Sequence, residues 1–386
     1  MVNGTLGGAL SRTWKLGPHN GASVTHMPLW LNLAWIAVHS DRGHMLQTPH
    51  GGMLLLHLLS RTAIELDATR TDLSLPLSTQ PGARMAEGPE FRATMDFVYG
   101  VPRELAPGVV RIVANNPSHF TFKGTNTYII GSRELALIDP GPEDPEHLKA
   151  ILDTIGQRRL SHVLITHTHR DHTDGLPALL AATGAKTVGY GRRARARGTK
   201  GTSPSGSEFV DQDFIPDVPL ADGAHLAGEG WAFTAIHTPG HAPDHLCLAL
   251  DGTRILFSGD HVMGWNTSVI APPEGNMGDY MRALEVLNRR EDQIYFPGHG
   301  GQIAEPQRMV KAFLLHRRMR EQAILDCIRD GRNTIANIVP VIYRDLNPKL
   351  LNAAALSVLA HVEHLIERGL VRCDSPLSPD RPLSVV

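Results

Sequence analysis

Thr166-His167-Thr168-His169-Arg170-Asp171-His172-Thr173-Asp174-Gly175 follows directly on the apolar run at 163–165 and sets four metal-competent side chains within six residues. In an extended backbone, residues two apart share a side, which puts His167, His169 and Asp171 on one side and His172 on the other. A loop that curls can then serve two ions. Imidazole and carboxylate donors without a thiolate suit zinc, and less exclusively iron or manganese, at a site that keeps one position open for water.

Three more candidates repeat one placement downstream: His241 in Thr238-Pro239-Gly240-His241, Asp260 in Ser258-Gly259-Asp260 and His299 in Pro297-Gly298-His299, each just past an apolar strand. The glycine ahead of each lets the backbone turn sharply and approach closely, and the loops are expected to converge at one sheet edge. Five His and two Asp allow three His on one ion, Asp171, His172 and His299 on a second, and a bridging Asp260. Read as unrelated polar loop residues, seven positions would share this spacing only by coincidence. From residue 109 to about residue 307, short apolar, β-branched runs alternate with Gly/Pro/Asp turns and helical stretches, which argues α/β layering. Strands are expected at 127–130, 135–138, 163–166, 231–238, 254–257 and 293–296. Helices are expected at 145–155 and 176–182, the second closed by Gly184.

In this order the residues resemble the metallo-β-lactamase superfamily of dinuclear metal hydrolases, whose H-x-H-x-D-H signature and later His, Asp and His ligands match position by position within 109–307. Gly124-Thr125-Asn126-Thr127-Tyr128 and His237-Thr238-Pro239-Gly240-His241 look most like its beta-lactamase-like-protein-2 group, which also ends in a winged helix. The resemblance implies an α/β fold: an αββα metallo-β-lactamase sandwich followed by a C-terminal winged-helix domain. It implies His167, His169 and His241 on one Zn2+, Asp171, His172 and His299 on the other, and Asp260 bridging them, with Asp171 and Asp260 the acids that act in catalysis. Class B1 β-lactamases carry a Cys where this chain has Asp260, so antibiotic hydrolysis is not implied. No flexible arm like that of ribonuclease Z is found, and glyoxalase II ends in glutathione-binding helices instead. His245, four residues beyond His241, and Asp139, at a strand end, are candidates to orient a ligand from behind it. The plainer reading of Asp139 is a turn former ahead of Pro140-Gly141, and His162, His237 and His261 are read as structural.

Beyond residue 308 the chain is mainly helical. Leu315, Met319, Ala323 and Cys327 are expected to line one inward face before Gly331. Thr334 caps a second helix reaching about 343. Asn347-Pro348 opens a third whose Leu351, Ala355, Val358, Val362 and Leu365 face inward, and segments 370–372 and 383–386 suggest a two-stranded wing. The expected domains are thus 85–307, catalytic, and 308–386, winged helix. Residues 308–372 carry 11 Lys/Arg against 6 Asp/Glu, which permits nucleic-acid contact. The third helix, with Lys349, Asn352, His361, Glu363, His364, Glu367 and Arg368 as a mixed exposed face, favours a lid or homodimer surface over groove reading. Upstream, 10 of the first 84 residues are charged against 66 of the other 302. Residues 1–84 show no sustained period and are expected to be an extension without an assigned fold, the native product beginning at Met85 or Met95.

Lys plus Arg is 37 against 39 for Asp plus Glu, a formal charge of −2, so nothing global argues for nucleic acid or a membrane. Arg192, Arg193, Arg195, Arg197 and Lys200 read as a solvated basic loop, with an RNA-backbone contact as the sharper alternative. They also argue against Gly189-x-Gly191-x-x-Ala194 as a dinucleotide fingerprint, because cations oppose the dipole at a helix start. Three cysteines, Cys247, Cys327 and Cys373, without C-x-x-C spacing exclude a disulfide framework and a thiolate zinc site, and fit the cytoplasm. The longest mostly apolar stretch, 27–38, falls short of the ~20 residues that span a bilayer. The expected function is a dinuclear, zinc-dependent hydrolase in which a metal-bridging hydroxide attacks an ester, thioester, amide or phosphodiester. Single-stranded RNA and a small-molecule ester or thioester are the substrates to distinguish. A mononuclear iron sulfur dioxygenase and a non-catalytic nucleic-acid binder are the competing classes.

Overall fold

The computed structural model describes residues 89–92, 94–191, 209–344, 347–374 and 376–386. The 1–84 extension, the basic stretch Arg192 to Lys200 and the side chain of Lys349 lie outside the described residues. Seven strands form the first sheet in chain order: β1 (Arg103–Ala106), β2 (Val109–Val113), β3 (Asn126–Ile130), β4 (Glu134–Ile138), β5 (Arg159–Leu164), β6 (Lys186–Gly189) and β7 (Val218–Pro219). The second sheet holds β8 (His225–Gly228), β9 (Trp231–His237), β10 (Leu246–Leu250), β11 (Ile255–Gly259) and β12 (Ile294–Pro297), in the order β12-β11-β10-β9-β8. β5 begins earlier than expected because Ser161 and His162 inside it hide its first half from an apolar count.

The layering follows from period-2 patterning in strands buried on both faces. In β4, Ala136 and Ile138 join Tyr128, Phe233, Leu248, Phe257 and Phe296 between the sheets, while Leu135 and Leu137 face outward. There they meet Ile151 and Ile155 of α1 (Pro145–Ile155) and Leu176 and Leu179 of α3 (Leu176–Thr183). The helices begin and end where the sequence says. Asp144 caps α1 by accepting from the Glu146 amide, and Gly184 closes α3 at φ 65°. On the second sheet's outer face, Cys247, Leu256 and Tyr295 pack against α4 (Met277–Asn288) and α5 (Pro306–Arg329). The result is a helix–sheet–sheet–helix sandwich.

Strand direction places the chemistry. β4 to β7 run parallel, as do β11 and β12, and β9 runs with β11 because each is antiparallel to β10. Asp139, His167 and His169 therefore follow strand ends of the first sheet, and His241, Asp260 and His299 follow strand ends of the second. The site spans the ends of both sheets rather than the one edge expected.

α5, α6 (Ile335–Ile342), α7 (Leu351–Glu367) and the hairpin β13 (Val371–Arg372) with β14 (Ser384–Val385) make three helices and a wing. Thr334 caps α6 through the Asn337 amide, as expected. Val358, Val362 and Leu365 of α7 and Cys327 of α5 are buried as expected, but both faces need correction elsewhere. Leu315 is 39% exposed and Leu351 44%. The buried stripe of α5 runs instead through Val310, Phe313, Arg317, Glu321, Ile324 and Ile328. Charged Arg317 and Glu321 occupy core positions that an apolar count passes over. For the same reason His361, expected on the exposed face of α7, is fully buried beside Glu321. Among the described residues no helix is long and apolar enough to cross a membrane.

The corrected faces have a direct test. Leu365→Ala, fully buried in the winged-helix core, is expected to destabilise by about 2–5 kcal/mol. Leu351→Ala is expected to stay within about 0.5 kcal/mol of wild type. Urea unfolding of both variants checks the contrast.

Candidate metal centre

Local backbone geometry decides how the signature's four side chains divide. His169 is extended at φ −70°, ψ 142°, but α2 (Arg170–Thr173) is a single helical turn that begins immediately after it. Asp171 is thereby carried away from His167 and His169, and the strictly extended reading is corrected. It faces His172 and His299 instead, its Oδ2 3.4 Å from His172 Nε2 and 3.2 Å from His299 Nε2.

All seven expected side chains come together in three overlapping groups: His167, His169 and His241; His167, His172 and Asp260; Asp171, His172 and His299. In the first, His169 Nδ1 lies 2.9 Å from His167 Nε2 and 3.0 Å from His241 Nε2. In the third, His172 and His299 present Nε2 atoms 3.3 Å apart. Nitrogens bound to one tetrahedral zinc at ~2.0–2.1 Å are about 3.3 Å from each other, so both groups fit an ion with small adjustment. Asp260 lies between them, Oδ1 3.6 Å from His172 Nε2 and Oδ2 3.7 Å from His241 Nε2. Its Oδ1 is buried without a hydrogen-bond partner among the described residues.

The nitrogens turned away from the cluster are also held. His167 Nδ1 meets Thr166 Oγ1 at 3.0 Å, His172 Nδ1 meets Asp139 Oδ2 at 2.9 Å, His241 Nδ1 meets Val269 O at 2.6 Å, and His299 Nδ1 meets Gly124 O at 3.2 Å. An outer acceptor of this kind fixes ring orientation and leaves the inner nitrogen's lone pair free for a cation. Asp139, at φ 51°, accepts from the Thr166 amide and hydroxyl as well as from His172. That strained backbone and triple contact are more than a turn requires. His245 sits behind Asp260: its Nε2 accepts the Asp260 amide at 3.1 Å, and its Nδ1 meets Thr238 Oγ1 at 2.8 Å.

Residues 124–128 do more than their family likeness alone suggests. Thr125 Oγ1 reaches Asp171 Oδ2 at 3.5 Å. Asn126 Nδ2 donates to Pro297 O and Gly300 O, and Tyr128 donates to Pro297 O, pinning the loop that carries His299. Thr127 ties Asp139 O to His147. No spacing rule marks these as site residues, because their partners, side chain or carbonyl, belong to other segments of the chain. Gly298 is required for close approach, since a Cβ there would stand 2.4 Å from Asp260 Oδ1. The other histidines take structural places: His162 against Trp231, His237 stacked on Tyr190 at 3.7 Å, and His261 buried against Tyr280.

Electrostatics split the site in two. Burial, reinforced by neighbouring imidazoles, holds His167 well below its ordinary pKa and His169 at about 3. Burial also opposes charge on His172 and His299, but the carboxylates facing them outweigh it. Asp171, Asp139 and Asp260 hold His172 well above its ordinary value, and Asp260 with Asp171 lifts His299 to about 9.

Residues 120–299 match the Metallo-beta-lactamase superfamily, and residues 334–376 match the Beta-lactamase associated winged helix domain. The chain belongs to the metallo-beta-lactamase superfamily and is a hydrolase of that fold with an appended winged helix domain. It is 35% identical over 280 residues to "Beta-lactamase-like protein 2 homolog" of Drosophila melanogaster, covering 69% of this chain and 91% of that one. It is 33% identical over 233 residues to "Atrochrysone carboxyl ACP thioesterase" of Aspergillus chevalieri, covering 60% and 68%. In fold it is similar to a metallo-beta-lactamase family protein from Thermus thermophilus, with TM-score 0.60 and 24% identity over 73% of this chain and 100% of the other. A beta-lactamase domain protein from Burkholderia ambifaria gives 0.63 and 18% over 75% and 96%.

The two halves are expected to respond to pH differently. His172 and His299 carry protons below their raised pKa values and must lose them to bind a cation, so filling that half at pH 7 is expected to release about two protons per chain. Its affinity rises with pH up to about 9, the value to which His299 is lifted. His167 and His169, already neutral, are expected to hold a cation to lower pH. Chelator titration with a pH indicator measures both, and identical pH dependence of the two ions would contradict the split.

Proposed function

We propose that this hydrolase is a dinuclear zinc enzyme acting on an acyl thioester. His167, His169 and His241 hold one ion, Asp171, His172 and His299 the other, and Asp260 stands between them, with Asp139 and His245 orienting His172 and Asp260. The observation that carries this is the convergence of the seven donors, with the outer nitrogens of His167, His172, His241 and His299 already tied to oxygen acceptors. Bound zinc would supply a water of lowered pKa and neutralise charge developing on the electrophile's oxygen.

The chain's own residues orient and exclude. The Asp171 side chain is 30% exposed against 9% for Asp260, so Asp171 is the more open of the two acids and the one placed to accept a hydrogen bond from the attacking water. Burial alone would raise its pKa, but His172 and His299 hold the carboxyl well below the ordinary range. It stays ionised, and orients the water rather than carrying its proton away. Buried Thr125, Thr166 and Asp139 keep bulk solvent from the ligands' rear.

The thioester reading draws support from curated relatives named as acyl-carrier-protein thioesterases. A phosphodiesterase acting on single-stranded RNA is the second reading, the one implied by the resemblance of 124–128 and 237–241 to the beta-lactamase-like-protein-2 group. The winged helix lends it little: His361 on α7 is buried and Arg368 at its C-terminal cap is tied to Glu321, so among the described residues α7 carries no basic stripe of the kind that grips phosphates.

His169→Ala is expected to lose metal and reduce thioester hydrolysis by more than the ~10–100-fold that loss of an outer partner costs. Elemental analysis together with a panel of acyl thioesters, short RNA and lactams tests the assignment. RNA cleavage without thioester turnover moves it to the second reading. One iron with oxygen uptake points to a dioxygenase, and nucleic-acid binding that survives Asp260→Ala and metal removal, with no turnover, to a binder.

A further inference from the structure

Arg317 lies midway along α5, the helix shared by the second sheet's outer layer and the winged helix, with 3% of its surface exposed. Among the described residues it makes no ion pair, and its Nε has no hydrogen-bond partner. A guanidinium buried without an ion pair is costly to a fold, which gives weight to the contacts it does make. This one donates from Nη2 to the Ser268 carbonyl at 2.5 Å and lies over the Tyr280 ring, 5.3 Å from its centroid.

Ser268 is a junction. Its hydroxyl reaches Asp260 O at 2.6 Å and His261 O at 2.8 Å, and the next carbonyl along, Val269 O, receives His241 Nδ1. Tyr280 grips the same two loops from below. Its hydroxyl donates to His261 O at 2.9 Å, and its backbone closes on Gly240, where a Cβ would stand 2.4 Å from Tyr280 Cα. One helical turn beyond Arg317, Glu321 accepts from His364 Nδ1 at 2.6 Å and from Arg368 at 2.9 Å, both on α7 or its C-terminal cap. That clamp fixes α5 against the winged helix, and with it the depth at which Arg317 enters the catalytic layer.

We propose that Arg317 is a positioning residue. Through the 268–269 segment it holds Asp260 and His241 in ion-binding geometry, and the winged-helix domain contributes to the site by fixing α5 through Glu321. This rests on Asp260 and His241 being ligands; Arg317 itself touches neither ion nor substrate. A charge-assisted hydrogen bond to a carbonyl is stronger than a neutral one, which suits a single contact that must immobilise a loop.

The test uses the full chain, stripped and reloaded with Co2+, as wild type, Arg317→Met, Arg317→Lys and Ser268→Ala. Cobalt absorption bands and the rate of cobalt loss to a chelator are read beside urea unfolding. Arg317→Met and Ser268→Ala are expected to change the bands and to release cobalt at least ~10-fold faster, the scale of losing an outer partner. Arg317→Lys, which keeps the charge and one donor, is expected to restore most of the retention. A folded Arg317→Met with wild-type bands and retention overturns the proposal. Should that variant not fold, wild-type retention in Ser268→Ala overturns it instead. A wild type that takes up no cobalt defeats the ligand assignment itself, and the role of Arg317 with it.

Discussion

Three imidazole nitrogens lie within 3.0 Å steps of one another at His167, His169 and His241, and they have at most one hydrogen to share. His167 and His241 spend their ring hydrogens on Thr166 Oγ1 and Val269 O, so each turns a bare lone pair inward. Such a cluster is tolerable only if a cation completes it or burial keeps its members neutral. The opposite half solves the same problem with charge: carboxylates of Asp171 and Asp260 draw protons onto His172 and His299. The two halves of the cluster thus carry opposite imbalances, inward lone pairs in one and carboxylate-held protons in the other.

Holding those groups against their mutual repulsion is the work of the fold. Strand ends of two sheets deliver the ligand loops, and buried polar groups from the 124–128 segment, Asp139 and His245 anchor them from behind. These anchors bond largely to backbone, which makes ligand placement depend on sheet geometry rather than on long side chains. Such over-determination lets a left-handed backbone at Asp139 persist.

The C-terminal helices read differently once their buried charges are seen. Arg317, Glu321 and His361 occupy the seam where an apolar stripe was expected, and Glu321 gathers His364 and Arg368 from the α7 end. Buried ion pairs add little bulk stability, and here they tie α5 to the end of α7 in the layer beneath the site.

The seven ligand candidates were legible in the chain because metal chemistry restricts residue type and because loops after strands, each with a glycine before the later ligands, repeat one local pattern. Helix ends at Asp144, Gly184 and Thr334 were legible for the same local reason. Tertiary structure alone decided the rest. The helical turn after His169 sent Asp171 to the second group, and pairing across more than a hundred residues brought Asn126 to the His299 loop. Burial made Arg317 and His361 core residues although their chemistry suggests surface. Local sequence encodes which groups can bind and where the chain can turn; which carbonyl lies opposite which side chain depends on packing between segments far apart, and no short-range pattern carries that information.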